Sequence, residues 1–144
     1  MAKWLMHGLD DYAAYLQKIG KNTREIMGAG VYEMAKVVAD EIRKGIESLP
    51  QQTGVTKKGL KEGFGISPME DDDGYLNVKL GFDGYNENGI PNVLMARIFE
   101  SGTSTIQKHP FVRPAVNRAR KRSLQRGQAA IDEKIYAIKE ADKV

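Results

Sequence analysis

The chain has 144 residues, no cysteine and a net charge of +3, and 41% of its residues are hydrophobic. These values predict a single globular domain over residues 1–144 with an ordinary core, and they exclude disulfides, thiol catalysis and thiolate metal sites. No apolar run approaches the ~20 residues that span a bilayer, and the first ten residues do not resemble a signal peptide. We therefore expect no membrane contact and a protein that stays in the cytoplasm in which it is made.

The first third of the chain predicts two helices. Apolar residues spaced by three and four predict a short helix within residues 1–20, which we expect to be mobile and to end at Gly20. Asn22 is placed to cap a second, longer helix, which Pro50 ends. The apolar stripe of this second helix consists of Val31, Met34, Val38, Ile42 and Leu49.

The middle of the chain predicts a loop followed by a hairpin. Residues 51–63 are polar and rich in glycine, and we expect them to form a mobile loop that orders on docking. Alternating apolar residues predict a β-hairpin over residues 64–82, with the acidic residues 70–73 and Gly74 as its turn. Residues 94–100 form an apolar stretch that is too short to decide between helix and strand.

The last third of the chain predicts one long helix. Pro114 is suited to the first position of this helix, with Arg113 extended before it. Its predicted apolar face consists of Val116, Leu124, Ile131, Ile135 and Ile138. The order of elements predicts an α+β fold, in which a small antiparallel sheet packs against the long helix of the N-terminal half and against the C-terminal helix.

Charge is unevenly distributed along the sequence. The acidic cluster in mid-chain includes Asp71, Asp72 and Asp73. The basic stretch nearer the end includes Arg113, Arg118, Arg120, Lys121, Arg122 and Arg126. Patches of opposite sign can steer one copy of a chain onto another, and a basic patch can bind a polyanion. We therefore treat both sets as candidates for interaction surfaces.

The sequence offers no convincing catalytic or metal-binding residues. His7 and His109 are its two histidines, and neither Ser101 nor Ser104 lies in the strained turn that exposes a nucleophilic serine. The adjacent carboxylates at 70–73 are typical of a solvated turn, since they cannot all face one cation. We expect no enzyme activity, no catalytic residue, no metal and no cofactor.

The basic stretch leaves two interpretations open. Arg118, Lys121 and Arg122 are predicted to project opposite the apolar face of the last helix, where they form a solvated surface or bind nucleic acid through counterion release. No aromatic residues alternate with these charges, as they do in many proteins that bind single strands. Arg120 falls within the predicted apolar face, where a guanidinium either reaches out to solvent or pairs with a carboxylate. Glu100 is the candidate partner, within the fold or across a subunit interface.

Two short elements near the end of the chain are distinctive. Residues 100–104 read Glu-Ser-Gly-Thr-Ser, and residues 110–115 read Pro-Phe-Val-Arg-Pro-Ala. Together they resemble the signature of a family of phage morphogenesis proteins, the tail components or tail-completion proteins of long-tailed phages and prophages. The similarity also includes residues 39–42, 59–66 and 81–86 and covers most of the chain.

The resemblance implies a structural virion-assembly protein that acts in tail completion or head–tail joining. Its expected partners are proteins of the tail tube or the head connector, together with copies of itself in a ring such as a hexamer. DNA is expected to contact the protein only as it passes through the ring, or non-specifically. The protein is expected in the host cytoplasm during assembly and at the virion neck or tail end once incorporated. An alternative is a nucleic-acid-binding accessory protein that uses the basic C-terminal helix.

The motif residues have structural interpretations within this resemblance. Those expected to be structural are Glu100, Gly102, Thr103, Pro110, Phe111 and Pro114. Gly102 supplies a tight backbone position, the two prolines make the approach to the last helix rigid, and Phe111 fills the core. Glu100 and Arg113 are placed to make charged hydrogen bonds.

A ring requires two different patches on each subunit. The acidic residues 70–73 and the basic segment 113–126 are candidates for this pair of patches. We expect that reversing Arg118 and Arg122 to glutamate impairs oligomerisation and leaves the fold intact.

Overall fold

The computed structural model describes residues 16–50 and 54–141, and within them it has the predicted α+β fold. The elements in chain order are α1 (Thr23–Glu47), α2 (Gly54–Gly63), β1 (Phe64–Ile66), β2 (Glu70–Asp72), β3 (Tyr75–Asn77), β4 (Leu80–Phe82), α3 (Asn92–Ser101) and α4 (Val112–Ala141).

The chain enters α1 through a preceding helical segment. Residues 16–21 are helical and a turn at Asn22 follows, so this segment ends one residue after Gly20, close to the predicted end. Residues 1–15 of the predicted first helix lie outside the described residues. The side chain of Asn22 does not cap α1 as predicted, because its Nδ2 donates to the carbonyl of Lys18 at 2.8 Å.

Helices α1 and α4 pack antiparallel, and small side chains allow their backbones to approach closely. The buried residues of α4 recur every four positions, at Ala115, Ala119, Ser123 and Gly127. A Cβ atom on Gly30 of α1 would lie 3.2 Å from the carbonyl oxygen of Gly127, and one on Gly127 would lie equally close to that of Gly30. Larger side chains at these positions would hold the helices apart.

The buried face of α4 is therefore displaced from the predicted one, and the prediction is wrong for Leu124. Leu124 is 56% exposed, and Val116, Ile131, Ile135 and Ile138 are only half-buried. The fully buried part of the contact is carried by the small residues of the seam, defined as Ala115, Ala119, Ser123 and Gly127. Ile131 also packs against Gly30 of α1.

Residues 54–63 form helix α2, so the loop predicted over residues 51–63 is wrong for this part of the segment. Residues 51–53 lie outside the described residues. Helix α2 buries Gly59 and Leu60, and its last residue leads directly into β1. Leu60 is fully buried and attaches the helix to the core.

The hairpin predicted over residues 64–82 is present as two short antiparallel ladders. Strand β1 pairs with β4, and β2 pairs with β3. The acidic cluster is not the turn as predicted, because its first three residues form β2. The turn consists of Asp73 and Gly74, whose φ angles of 52° and 88° give the positive-φ pair that matches the twist of a hairpin.

Residues 94–100 are helical, as part of α3. The core lies where α1, α2, the β1–β4 ladder, α3 and the start of α4 meet; its buried residues are Ala39, Ile42, Ile46, Leu49, Leu60, Phe64, Ala96, Phe99, Phe111 and Ala115. The ring of Phe82 lies 5.3 Å from that of Phe64 and 5.9 Å from that of Phe111. Within residues 16–50 and 54–141, no helix is long and apolar enough to cross a membrane.

Candidate interaction surfaces

Glu100, in the last turn of α3, caps the first turn of α4. Its carboxylate accepts hydrogen bonds from the backbone N–H groups of Phe111, Val112 and Arg113 at 2.7, 2.9 and 2.9 Å. These N–H groups have no partner within the helix and carry a partial positive charge, so the carboxylate stabilises them in both respects. Burial raises the pKa of Glu100, but the three hydrogen bonds and the charge of Arg113 outweigh it and leave the pKa below its ordinary value.

This cap corrects two predictions. The pairing of Glu100 with Arg120 does not occur within the fold, because both carboxylate oxygens of Glu100 bind the backbone at the start of α4. Helix α4 begins at Val112, so Arg113 is helical rather than extended, and Pro114 lies within the first turn rather than at its first position. A proline is tolerated there because first-turn N–H groups have no intrahelical acceptor.

The remaining motif residues shape the connection between α3 and α4. Gly102 ends α3 with a φ of +74°, and a Cβ atom there would lie 3.0 Å from the backbone nitrogen of Lys108. The hydroxyl of Thr103 accepts the N–H of Ile106 at 2.9 Å. Phe111 is buried in the core, whereas Pro110 is exposed. The motif therefore fixes where α4 starts.

Glu41 of α1 binds two arginines of α4. The Nε of Arg118 and an Nη of Arg122 donate to its carboxylate at 3.2 and 3.1 Å, and Lys44 adds a third hydrogen bond at 3.2 Å. Glu41 is only 8% exposed. The Arg118 guanidinium, with Lys44 and Arg122, holds the pKa of the Glu41 carboxyl below its ordinary value. Sequence reasoning missed Glu41, although a carboxylate on the buried side of a helix requires such partners.

The basic stretch is therefore divided between two uses. Arg118 and Arg122 bind Glu41 of α1 while 53% and 51% of their side chains remain exposed, so this part of the predicted surface also attaches α4 to the fold. Reversing both charges would leave three carboxylates together at Glu41. The other cations of the basic stretch are exposed and make no ion pair with the described residues; they are Arg113, Arg120, Lys121 and Arg126. Arg126 borders a groove between α1 and α4, next to Ala29 and Tyr32.

The acidic cluster is partly neutralised within the chain. A carboxylate oxygen of Glu70 lies 3.0 Å from the Nζ of Lys79, and one of Asp71 lies 3.8 Å from a guanidinium nitrogen of Arg24. Within this cluster, Asp72 and Asp73 form no ion pair with a described residue, although Asp72 accepts a hydrogen bond from Asn77 at 3.0 Å and lies within the electrostatic reach of Lys79. No group of three or more metal-ligating side chains able to hold an ion occurs among the described residues.

A second junction, which sequence reasoning missed, holds the start of α3 against α2. The Nδ2 of Asn92 donates to the carbonyl of Asp83 at 2.9 Å. A Cβ atom on Gly59 would lie 2.5 Å from the Oδ1 of Asn92, and one on Gly63 would lie 2.5 Å from its Nδ2. Asn86 packs against Gly59 beside it. The spacing of four residues between the two glycines is the signal available in the sequence.

Helix α3 is thus fixed at both ends, by Asn92 and by Glu100. Between these two residues its outer side exposes Val93 and Leu94, at 59% and 44%. A rigid helix that exposes adjacent apolar side chains is suited to contact with another protein.

The histidine and serines weighed as a catalytic set are exposed. Among the described contacts, no hydrogen bond joins His109 to Ser101 or Ser104. The backbone N–H of His109 donates to the carbonyl of Phe99 at 2.7 Å, so this residue takes part in the connection between α3 and α4.

A family model described as "Bacteriophage HK97-gp10, putative tail-component" matches residues 10–85, just over half of the chain. The chain belongs to this family of phage tail components. No curated protein and no solved structure matches it. The matched segment contains α1, α2 and the hairpin, and it ends before the elements at 100–104 and 110–115 that carried the resemblance in the sequence.

Membership has a consequence for how the surfaces are interpreted. A tail component is a structural protein of the phage virion, and this indicates contact with other virion proteins rather than catalysis. The exposed apolar and charged side chains described above are therefore the candidates for contact with other virion proteins.

Proposed function

We propose that this tail component completes the tail at the head–tail junction, as one subunit of a ring between the head connector and the tail tube. The observation that carries the proposal is the family match. It is supported by a fold in which two carboxylates, Glu41 and Glu100, fix α4 against the rest of the chain. A rigid subunit of this kind presents its surfaces in a fixed geometry, which lowers the cost of assembly.

The outer side of α3 is the surface that we assign to contact with the connector or the tail tube. Val93 and Leu94 are exposed there on a helix held at both ends. Burial of two such side chains contributes about 1.5–3 kcal/mol each when it is complete. We expect the protein in the host cytoplasm during assembly and at the neck or tail end of the virion afterwards.

The proposal is tested by head–tail joining in an extract. A phage or prophage that lacks the gene is expected to produce separate heads and tails, and added purified protein is expected to join them into infectious particles. A Val93→Ser/Leu94→Ser variant is expected to fold and to fail at joining, whereas Tyr136→Ser, which removes another exposed apolar side chain, is expected to succeed. Normal joined particles in the absence of the gene would refute the proposed role.

Nucleic-acid binding is the rival function, and the exposed Arg113, Arg120 and Lys121 favour it. Such a protein would lose affinity for DNA as salt rises, with a slope of about −0.9 in log K per log salt for each phosphate contacted. Two arginines of the basic stretch are already bound to Glu41, which leaves fewer for phosphates. A steep slope at physiological salt would favour the rival.

A further inference from the structure

The tip of the hairpin is an exposed acidic surface with an aromatic centre. We define the acidic tip as Asp72, Asp73 and Tyr75. Neither carboxylate forms an ion pair with a described residue, although Asp72 is hydrogen-bonded to Asn77. Tyr75 stands opposite Asp72 in the ladder with 72% of its surface exposed. Exposed tyrosines are enriched among the anchor residues of protein interfaces, and neighbouring carboxylates can direct such a ring toward a basic partner.

The start of α4 is an exposed basic surface with an apolar centre. We define the basic flank as Lys108, Arg113, Arg120, Lys121 and Leu124. Arg113 and Arg120 are seven residues apart and therefore share one side of α4, and Lys108 lines the same surface depression as Arg113. None of the four cations makes an ion pair with a described residue, and Leu124 is 56% exposed beside them.

These two surfaces lie far apart within one chain. The hairpin contacts the beginning of α1 through the ion pair of Asp71 with Arg24. The first half of α4 contacts the end of α1 through the ion pair of Arg118 with Glu41. The two attachment points are about 25 Å apart along the axis of α1 at 1.5 Å per residue. That is more than twice the screening length of about 10 Å at 0.1 M salt, so the two charged surfaces cannot neutralise each other within the subunit.

We propose that the acidic tip of one copy docks on the basic flank of the next copy. The contact pairs opposite charges around Tyr75 and Leu124, and because it joins two different surfaces at opposite ends of the subunit it is head-to-tail. A repeated head-to-tail contact generates a ring or a filament. The assignment of this contact to the ring at the head–tail junction rests on the proposed function.

Charge reversal on each surface tests the contact. Asp72→Lys/Asp73→Lys reverses the tip, and Arg120→Glu/Lys121→Glu reverses the flank and leaves the arginines bound to Glu41 untouched. Each variant, as purified full-length chain at low ionic strength, is expected to lose at least about 100-fold in association constant by sedimentation, because like charges then meet. Asp72→Asn/Asp73→Asn, which keeps a residue tolerant of positive φ at the turn, is expected to lose less.

The decisive measurement is the recovery of assembly. An equimolar mixture of the two reversed variants is expected to assemble again, because each tip then finds a flank of opposite sign on the other variant. A single chain that carries both reversals is expected to assemble as well. The control matched to the flank variant, Arg97→Glu/Lys139→Glu, makes the same change in net charge at other exposed positions and is expected to assemble like the unaltered chain.

Three results would overturn the contact. These are an unaltered chain that stays monomeric at every concentration, reversed variants that assemble normally, and a mixture that does not recover. Loss of DNA binding in the flank variant with unchanged assembly would assign the cations to nucleic acid. If a strictly monomeric protein still joined heads and tails in the extract, the proposed function would stand and this contact would be refuted. If the protein assembled through this contact but did not join heads and tails, the contact would stand and the proposed function would be refuted.

Discussion

Arg118 and Arg122, on one flank of α4, donate to the nearly buried Glu41 of α1, whereas Arg120 and Lys121, their neighbours in sequence, are exposed without an ion pair to a described residue. Successive residues of a helix point about 100° apart, so a basic run in the sequence becomes two surfaces with different surroundings. The inner flank, Arg118 and Arg122, attaches α4 to the fold. The outer flank, formed by Arg120 and Lys121, is available to a partner.

The cations on the two flanks differ because, among the described residues, only the inner flank faces a carboxylate on the neighbouring helix. Glu41 would be costly to bury without a partner, and its two arginines and Lys44 supply the charge that it needs. The outer flank faces no such group among the described residues. Substitutions on the two sides of α4 should therefore affect stability and assembly separately.

The largest effect on stability is expected from a bulky residue in the seam between α1 and α4. Ala119→Leu inserts three carbon atoms where the side chain is fully buried, and overpacking of this kind costs about 3 kcal/mol in the free energy of unfolding. Urea denaturation measures the loss. The matched variant Ala129→Leu lies on the exposed side of the same helix and should change stability by less than about 0.5 kcal/mol. Equal losses in the two variants would contradict the close approach of the helices.

The next largest effect is expected at Glu100, which attaches the start of α4. Glu100→Ala leaves three backbone N–H groups without their acceptor and should cost about 2 kcal/mol. The exposed Glu133→Ala on α4 serves as a control and should be nearly neutral. If both variants unfold at the same urea concentration as the unaltered chain, the cap does not stabilise the fold.

The same residue gives a pH dependence. The pKa of Glu100 is lower in the folded chain than its ordinary value of 4.5, so its contribution to stability is complete above that pH and is lost as the pH falls through the folded pKa. The difference in stability between the unaltered chain and Glu100→Ala should therefore shrink below about pH 4.5. A difference that stays constant down to strongly acid pH would show that the carboxylate is not the group that matters.

A smaller effect is expected from Glu41→Gln, which tests the inner flank directly. The neutral amide accepts fewer hydrogen bonds and no longer neutralises Arg118 and Arg122, so the Tm should fall by a few degrees. Added salt should narrow the gap to the unaltered chain, because screening weakens the ion pairs. Glu33→Gln, which alters an exposed pair with Lys36, is the control, and an equal fall in its Tm would argue against a special role for Glu41.

Much of the fold follows from patterns that the sequence displays. The apolar spacing of α1 and the alternation in the hairpin come from large apolar side chains, which periodicity detects, and the spacing of apolar residues after Pro114 also gives α4 as a helix although not its buried face. Helix α2 was missed because its ten residues include three glycines and three lysines. Helix α2 is held in place by tertiary packing, because Gly59 and Gly63 leave room for the side chain of Asn92. The spacing of the two glycines is visible in the sequence, but their contact with Asn92 is not.

The surfaces were less predictable than the fold, because they depend on contacts between residues that are distant in the sequence. The seam of α4 consists of alanine, serine and glycine, which carry little hydrophobic signal, so the predicted face was displaced onto Leu124. The partner of Glu100 could not be predicted, since backbone N–H groups are the same at every residue. The motif at 100–104 and 110–115 indicated that this region matters, but not that it joins two helices.

The smallest effect on stability is expected on the outer flank, and it separates the two uses of the basic stretch most sharply. Arg120→Glu/Lys121→Glu alters two exposed side chains that make no ion pair with described residues, so the free energy of unfolding should change by less than about 0.5 kcal/mol. The matched reversal Arg118→Glu/Arg122→Glu makes the same change in charge and should lower stability clearly, because it gathers three carboxylates at a buried position of α1. Urea denaturation of the two variants measures the contrast. If both were equally stable, Glu41 would not depend on its arginines, and the division of α4 into an attached flank and a free flank would be wrong.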